Sequence, residues 1–201
     1  MLYYAEHFAV TVSAISGVLA AGGKRLDLFG VIVLALVTAL GGGSVRDVVL
    51  GAFPIVWVKH PEYVLNAAST AFLFFFVARH WKVPPAILAI ADAFGLALFT
   101  ILGTVKGLAF GVGYVNAVVL GIITGVTGGI IRDVLVGEIP MVFRKEIYLY
   151  ATAAFCGATV FVVLEQWHPS GPGNRLVGSA VTLLLRLAAI RWKLTLPLYR
   201  E

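Results

Sequence analysis

Hydrophobic residues are grouped along this chain in long runs, and short segments between the runs carry most of the charges and prolines. The runs are about 17 to 25 residues long, which is the length that an α-helix needs to cross a hydrocarbon core about 30 Å thick. This pattern predicts an all-α polytopic membrane protein with seven transmembrane helices. The predicted spans are 4–22, 27–50, 62–79, 84–103, 112–136, 146–165 and 174–190.

The composition agrees with a membrane protein. Of 201 residues, 60% are hydrophobic and 12% are charged, and the mean hydropathy is +0.97. Soluble domains are about 45–50% apolar and about 25% charged. The single cysteine, Cys156, excludes an internal disulfide and a cysteine metal site. No phosphate loop, nucleotide fingerprint or nucleophile–base constellation is present, so we expect neither an enzyme nor a cofactor.

The basic residues indicate how the spans are oriented. They are scattered singly or in pairs between the spans, so the net charge of +5 is better explained by membrane orientation than by nucleic-acid binding. If the N-terminus is outside, the cytoplasmic side holds Lys24, Arg25, Arg79, Lys82, Arg144, Lys145, Arg191, Lys193 and Arg200. The outer side then keeps Lys59, Lys106 and Arg175. We therefore predict the N-terminus outside and the C-terminus inside.

Two segments repeat one another at a constant offset and without a gap. They are GGGSVRDVVLGAFPIVWVK at 41–59 and TGGIIRDVLVGEIPMVFRK at 127–145. The same offset aligns Gly17 with Gly103, and Glu6 with Asp92, so the duplicated unit contains three spans.

Three spans per unit is an odd number, so the second copy must enter the membrane from the opposite side. This predicts two inverted repeats, an arrangement that is frequent in transport proteins. We expect the first repeat at 1–82, the second at 83–168, and a seventh helix with a cytoplasmic tail at 169–201.

The glycines of the repeated motif predict a weak point in each helix. Glycine costs roughly 1 kcal/mol relative to alanine in a helix interior, so a break or kink is expected at each cluster. Backbone groups freed inside a membrane must face protein or water, which indicates a pathway. Close helix packing through small residues is the alternative interpretation. The glycines concerned are Gly41, Gly42 and Gly43 in the first copy, and Gly128 and Gly129 in the second.

An arginine and an aspartate follow each glycine cluster. Neighbouring residues point about 100° apart on a helix, so each charge is expected to find a partner elsewhere. An isolated charge in the membrane costs at least about 2.5–3.5 kcal/mol. We therefore predict reciprocal pairs between the repeats. The pairs are Arg46 with Asp133, and Asp47 with Arg132.

Other charged residues fall within or near the predicted spans. Asp92 has no basic residue within a helical turn, which makes it a candidate for an ion pathway. Its counterpart Glu6 is close to the outer surface, where an interfacial role is favoured. Lys106 lies at a predicted span end and is expected to be an anchor. Arg186 lies about one turn from the end of the last span, where it is expected to snorkel to the headgroups.

The motif Gly-Gly-x-x-Arg-Asp-x-x-x-Gly-x-x-Pro occurs once in each three-helix repeat and a seventh helix follows. This arrangement resembles the prokaryotic trimeric intracellular cation (TRIC) channels, which are also grouped as a glycine transporter domain and as UPF0126-type membrane proteins. The resemblance covers nearly the whole chain. Three positions depart from the pattern, because Glu6 and Ala9 stand where Asp and Gly are expected, and Thr127 replaces a glycine.

The resemblance implies a homotrimer in a prokaryotic inner membrane, with one hydrophilic pore per subunit lined by the second and fifth helices. Potassium, and less selectively sodium, would pass, and membrane lipids would surround the protein. The glycines of both clusters, Arg46, Arg132, Asp47, Asp92 and Asp133 would line the pore, with transient potassium near the three aspartates. A carrier for glycine or another small amino acid remains the alternative, because inverted repeats and broken helices also occur in carriers.

Overall fold

A computed structural model describes residues 2–81, 83–144, 149–171 and 173–194. The all-α prediction is confirmed for these residues, which form eight α-helices, one 3-10 turn at Met141–Phe143 and no strand. Three residues used to predict orientation, Lys82, Lys145 and Arg200, lie outside the described part. The helices are α1 (Leu2–Ala20), α2 (Leu28–Leu50), α3 (Val56–Lys59), α4 (Glu62–His80), α5 (Pro85–Ala109), α6 (Tyr114–Leu135), α7 (Tyr150–Trp167) and α8 (Asn174–Trp192).

Seven long helices overlap the predicted spans, although α5 continues to Ala109, beyond the predicted end at 103. The additional helix α3 is a single turn between α2 and α4. Three of the described helices have the length and apolar composition needed to cross a membrane. They are α2, the segment Ala86–Ala109 of α5, and α6. The number of spans and their orientation stay predictions.

The two copies of the motif end their helices in the same way. Gly51 and Gly137 adopt left-handed φ angles of 65° and 73°, which favour glycine. In the turn after α2, the Ala52 N–H donates to the Asp47 carbonyl over 2.8 Å. In the turn after α6, the Glu138 N–H donates to the Asp133 carbonyl over 2.9 Å. A proline and a short helical segment follow each turn, so the chain turns back towards the bundle at both places.

A break at the glycines is not observed, and a kink there stays a prediction. Both α2 and α6 continue through their glycine clusters as uninterrupted α-helix. The glycines instead allow the two helices to touch. A Cβ on Gly42 would lie 2.1 Å from the Thr124 carbonyl oxygen, and a Cβ on Gly128 would lie 2.3 Å from the Thr38 carbonyl oxygen. The packing interpretation therefore explains these two glycines, because only a residue without a side chain fits against backbone so closely.

Small residues also bring together the helices within each half. A Cβ on Gly17 of α1 would lie 2.7 Å from the Cα of Ala35 in α2. At the positions aligned by the repeat, a Cβ on Gly103 of α5 would lie 3.0 Å from the Cα of Gly121 in α6. Helices α1, α2, α5 and α6 are thus held closely around one centre, and α4, α7 and α8 pack outside them.

Candidate permeation site

Buried charges are concentrated where α1, α2, α5 and α6 meet. Such charges are costly in an apolar bundle unless each has a partner, so their contacts define the site. All five charged residues among the predicted site residues are less than 9% exposed, namely Arg46, Asp47, Asp92, Arg132 and Asp133. Serine and threonine hydroxyls from the same four helices are buried among them, including Ser13, Ser16, Thr38, Thr100, Thr104 and Thr124.

The first cluster of charges is centred on Asp47. Arg46 donates from Nε to Asp47 Oδ1 over 2.8 Å, and Lys106 of α5 donates from Nζ to the same oxygen over 2.7 Å. The other carboxylate oxygen accepts from the Val56 N–H over 3.1 Å. Lys106 is therefore a partly buried partner of Asp47 that ties α5 to α2, which the expected role as a surface anchor did not include.

The second cluster has the same local geometry but a different outer partner. Arg132 donates from Nε to Asp133 Oδ1 over 2.8 Å, and the Met141 N–H donates to Asp133 Oδ2 over 2.8 Å. The Nη1 of Arg132 also donates to Asp92 Oδ1 over 2.8 Å and to Ser16 Oγ over 3.1 Å. Arg132 thus connects α6 to α5 and α1, and Asp92 is paired with it.

The predicted exchange of charges between the repeats is wrong. In each copy the arginine pairs with the aspartate that follows it, rather than with the aspartate of the other copy. The angle between neighbouring Cβ atoms does not prevent this, since the long arginine side chain bends back until Nε reaches the carboxylate. A backbone N–H after the chain reversal holds the other side of each carboxylate and fixes its position.

A small polar cavity lies beside the second cluster. It has about 10 Å³ of space for the centre of a water molecule, which is room for about one water. Its polar lining comes from Asp92 and four hydroxyl groups, and Asp92 Oδ2 has no hydrogen-bond partner among the described residues. The hydroxyl groups belong to Ser13, Ser16, Thr38 and Thr124.

A second cavity of about 40 Å³ lies beside the first cluster and is lined by Glu6, Arg46 and Tyr63, among others. Glu6 accepts a hydrogen bond from the Tyr63 hydroxyl, so this carboxylate faces protein on α4 as well as the cavity. Ala39 and Phe99 line both cavities and separate them. The two cavities therefore lie next to one another in the bundle, one on each side of an apolar partition.

Arg186 was expected at the headgroups, and that expectation is wrong. Its side chain is fully buried, and its guanidinium carbon lies 4.6 Å from the centroid of the Tyr150 ring, a cation–π contact. The Tyr150 hydroxyl and Asp92 Oδ1 both lie within 3.5 Å of the point where a Cβ on Gly129 would stand. Tyr150 is therefore a neighbour of the second cluster that sequence reasoning missed. The start of an apolar helix gave no signal for it.

Comparison with known proteins places these features in a family. A family model described as "Glycine transporter" matches residues 3–79 and again residues 89–166. The UPF0126 inner membrane protein YadS of Escherichia coli K12 is 45% identical over 99% of this chain and 96% of its own length. A UPF0126 membrane protein of Vibrio cholerae is 44% identical over 99% of this chain and 83% of its own length.

The fold is shared with a solved channel. The TRIC trimeric intracellular cation channel orthologue from Rhodobacter sphaeroides superposes with a TM-score of 0.90 at 37% identity. The match covers 96% of this chain and 98% of that one. A more distant TRIC channel from C. elegans, at 17% identity and a TM-score of 0.64, shares the fold alone.

Proposed function

From its membership of the family that comprises the bacterial UPF0126 membrane proteins and the prokaryotic TRIC cation channels, we propose that this chain is a cation channel. It would pass potassium and, with little discrimination, also sodium. It would act in the inner membrane of a prokaryote, as the name of the E. coli relative suggests.

One observation supports the channel most directly. Asp92 lines the central cavity, and Arg132 fixes its Oδ1. The Tyr150 hydroxyl also interacts with this carboxylate, while Oδ2 has no hydrogen-bond partner among the described residues. A carboxylate oxygen beside serine and threonine hydroxyls can replace part of the hydration shell of a monovalent cation. The path contains no TVGYG carbonyl filter, so we expect modest preference for potassium over sodium.

The proposed architecture is seven spans in two inverted repeats, 1–82 and 83–168, followed by a seventh helix and tail at 169–201. The double match of the family model supports this division. The reciprocal contacts of Gly42 with Thr124 and of Gly128 with Thr38 also support it, because a two-fold axis between α2 and α6 would relate them. The distribution of basic residues favours the N-terminus outside and the C-terminus inside.

Each subunit of a homotrimer would contain its own pore, between α1, α2, α5 and α6. The proposed pore residues are Gly41, Gly42, Gly43, Arg46, Asp47, Asp92, Gly128, Gly129, Arg132 and Asp133. Potassium would pause near Asp92, and near Asp47 and Asp133 when their arginine pairs loosen. The acid–base pairs keep the net charge of the path low, so that a cation is held weakly enough to leave.

The partition between the cavities would be the closed gate. Room for about one water does not admit a hydrated ion, so conduction requires Phe99 to move away from Ala39. We expect Phe99→Ala to increase the open probability or the conductance in planar bilayers. Phe94→Ala is the matched control, since Phe94 is also on α5 but packs on Phe8 and lines neither cavity. Equal effects of the two substitutions would exclude Phe99 as the gate.

The family description keeps a glycine carrier as the competing function. A carrier would take up radioactive glycine into proteoliposomes with saturation and would pass no discrete currents. A channel would release potassium from the same vesicles and would leave glycine outside. Both assays on one preparation therefore separate the two functions.

A further inference from the structure

A larger cavity lies outside the proposed pore and shares Leu102 with the 40 Å³ cavity. It is a groove of about 360 Å³ between α1, α5 and the connection from α7 to α8, within the usual range of about 300–1,000 Å³ for small-molecule sites. The floor is apolar and includes Leu98, Ile101 and Leu102 of α5 and Leu176 of α8.

The charged groups of the groove come from one end. Glu165, Ser170 and Arg175 belong to the end of α7, the connection and the first turn of α8, whereas Leu98 lies deeper along α5. The groove thus runs from a charged mouth to an apolar interior. An amphiphile with a charged head and a hydrocarbon tail has the same order of polarity.

The mouth of the groove lies at the level expected for lipid headgroups. Trp167 at the end of α7 is 76% exposed, and Tyr3 and Tyr4 at the start of α1 are 51% and 76% exposed. Exposed tryptophan and tyrosine side chains are enriched where a membrane meets water. Three such residues at this end of the bundle indicate that Glu165 and Arg175 face the headgroup layer.

The two charges at the mouth suit a headgroup that carries both signs. Glu165 is held in place by the Ser170 N–H over 2.9 Å and by Asn174 Nδ2 over 2.8 Å, which leaves further acceptor positions on the carboxylate. Arg175 is exposed, and no ion pair found among the described residues includes it. A guanidinium binds a phosphate through two parallel hydrogen bonds, and a carboxylate binds an ammonium group.

A second groove provides the contrast. It is similar in volume, about 300 Å³, and lies between the end of α2 and α6. Its lining is apolar except for Asn116 and contains no charged residue. Shape alone would suit an acyl chain in either groove, but only the first one offers paired charges at its mouth.

We propose that the groove between α1, α5 and α8 binds one phospholipid with a zwitterionic phosphoethanolamine headgroup per subunit. Arg175 holds the phosphate, Glu165 holds the ammonium group, and an acyl chain lies along Leu98 and Leu102. The proposal uses no observation that depends on ion conduction, so a failure of the proposed channel function would leave it intact.

Native mass spectrometry of the purified, delipidated full-length protein tests the proposal. Phosphatidylethanolamine and phosphatidylglycerol with identical acyl chains are added in turn, and bound lipids are counted per subunit. We expect one tight phosphatidylethanolamine and weaker binding of phosphatidylglycerol. Arg175→Gln should weaken phosphatidylethanolamine binding by about tenfold or more, since a charge-assisted hydrogen bond is lost. Glu165→Gln should reduce the preference between the two lipids.

Two further variants separate the groove from the rest of the surface. Ser179→Trp fills the groove and should abolish the tight site, while Val119→Trp alters the uncharged groove and should leave the tight site unchanged. Equal binding of both lipids by the native protein would overturn the proposal. Loss of the oligomer in Ser179→Trp, with unchanged lipid counts, would also overturn it and would assign the groove to contact with a second copy of this chain.

Discussion

The three consecutive glycines at 41–43 allow the packing explanation to be tested one residue at a time. A Cβ on Gly42 would lie 2.1 Å from the Thr124 carbonyl oxygen, whereas a Cβ on Gly43 would have the end of the Arg46 side chain as its nearest neighbour, at 3.7 Å. Alanine should therefore be tolerated at Gly43 and rejected at Gly42. If the glycines served mainly to weaken the helix, alanine would have similar effects at both positions.

The expected magnitudes follow from these distances. Ordinary van der Waals contact begins at 3.4 Å, so Gly42→Ala requires α2 and α6 to separate by about 1 Å or more against rigid backbone. Overpacking costs typically about 1–3 kcal/mol, and this case should lie at the upper end or beyond. Gly43→Ala keeps the contact and should raise the free energy of unfolding by up to about 1 kcal/mol, through helix propensity.

The assay is equilibrium unfolding of the purified protein in mixed detergent micelles, with thermal melting as a second readout. We expect Gly42→Ala to melt several degrees below the native protein and Gly43→Ala at or above it. Gly128→Ala should resemble Gly42→Ala, and the double variant should cost less than the sum because both contacts belong to one helix pair. Equal stability of Gly42→Ala and Gly43→Ala would refute the packing explanation.

Two further predictions concern ion pairs. Arg132→Gln leaves Asp92 without its cation, so the free energy of unfolding should fall by about 3–5 kcal/mol. Adding Asp92→Asn to this variant should recover at least about 1 kcal/mol in the same unfolding assay. No recovery would contradict the ion pair. A hydrogen bond from Lys24 holds the pKa of Glu138 below its ordinary range. The pair therefore stabilises the folded state at any pH above the ordinary pKa of a glutamate, and this contribution is lost as the pH falls through the lowered pKa. Because Glu138 is exposed, Glu138→Gln should leave melting at neutral pH nearly unchanged, and the difference from the native protein should be even smaller at acid pH, below the lowered pKa. A large loss at neutral pH would contradict this.

The helices could be predicted from the sequence because two independent signals agreed. Apolar runs of membrane length gave their positions, and glycine and proline marked their ends, as at Gly51 and Pro54. The constant offset between the repeats also paired residues correctly. Gly17 and Gly103, for example, contact aligned positions in their own halves.

The helix break could not be excluded from propensity alone. Glycine lowers the stability of an isolated helix, but one glycine of each cluster, Gly42 in α2 and Gly128 in α6, makes a backbone contact that only a glycine permits. The gain from close packing outweighs the weak propensity of the isolated segment. The low helix propensity of glycine can be read from the sequence directly. The helix contact that a glycine allows can be recognised only when the partner helix is known.

The partners of the charges depended on side-chain paths that spacing does not give. The pair of Arg46 with Asp47 forms because a long side chain bends back, and because the Val56 N–H holds the carboxylate after the chain has turned. Arg186 lies near a helix end, where it could point to the headgroups or to the core. The position of Tyr150 in space decides between these directions.

The central claim is that cations pass through the polar space beside Asp92. The most direct measurement is the reversal potential of single-channel currents in planar bilayers with asymmetric potassium chloride, for the native protein and for Asp92→Asn. We predict discrete currents that reverse towards the potassium equilibrium potential, with a smaller cation preference or conductance in Asp92→Asn. Reversal towards the chloride potential, or silence together with saturable glycine uptake, would contradict the account.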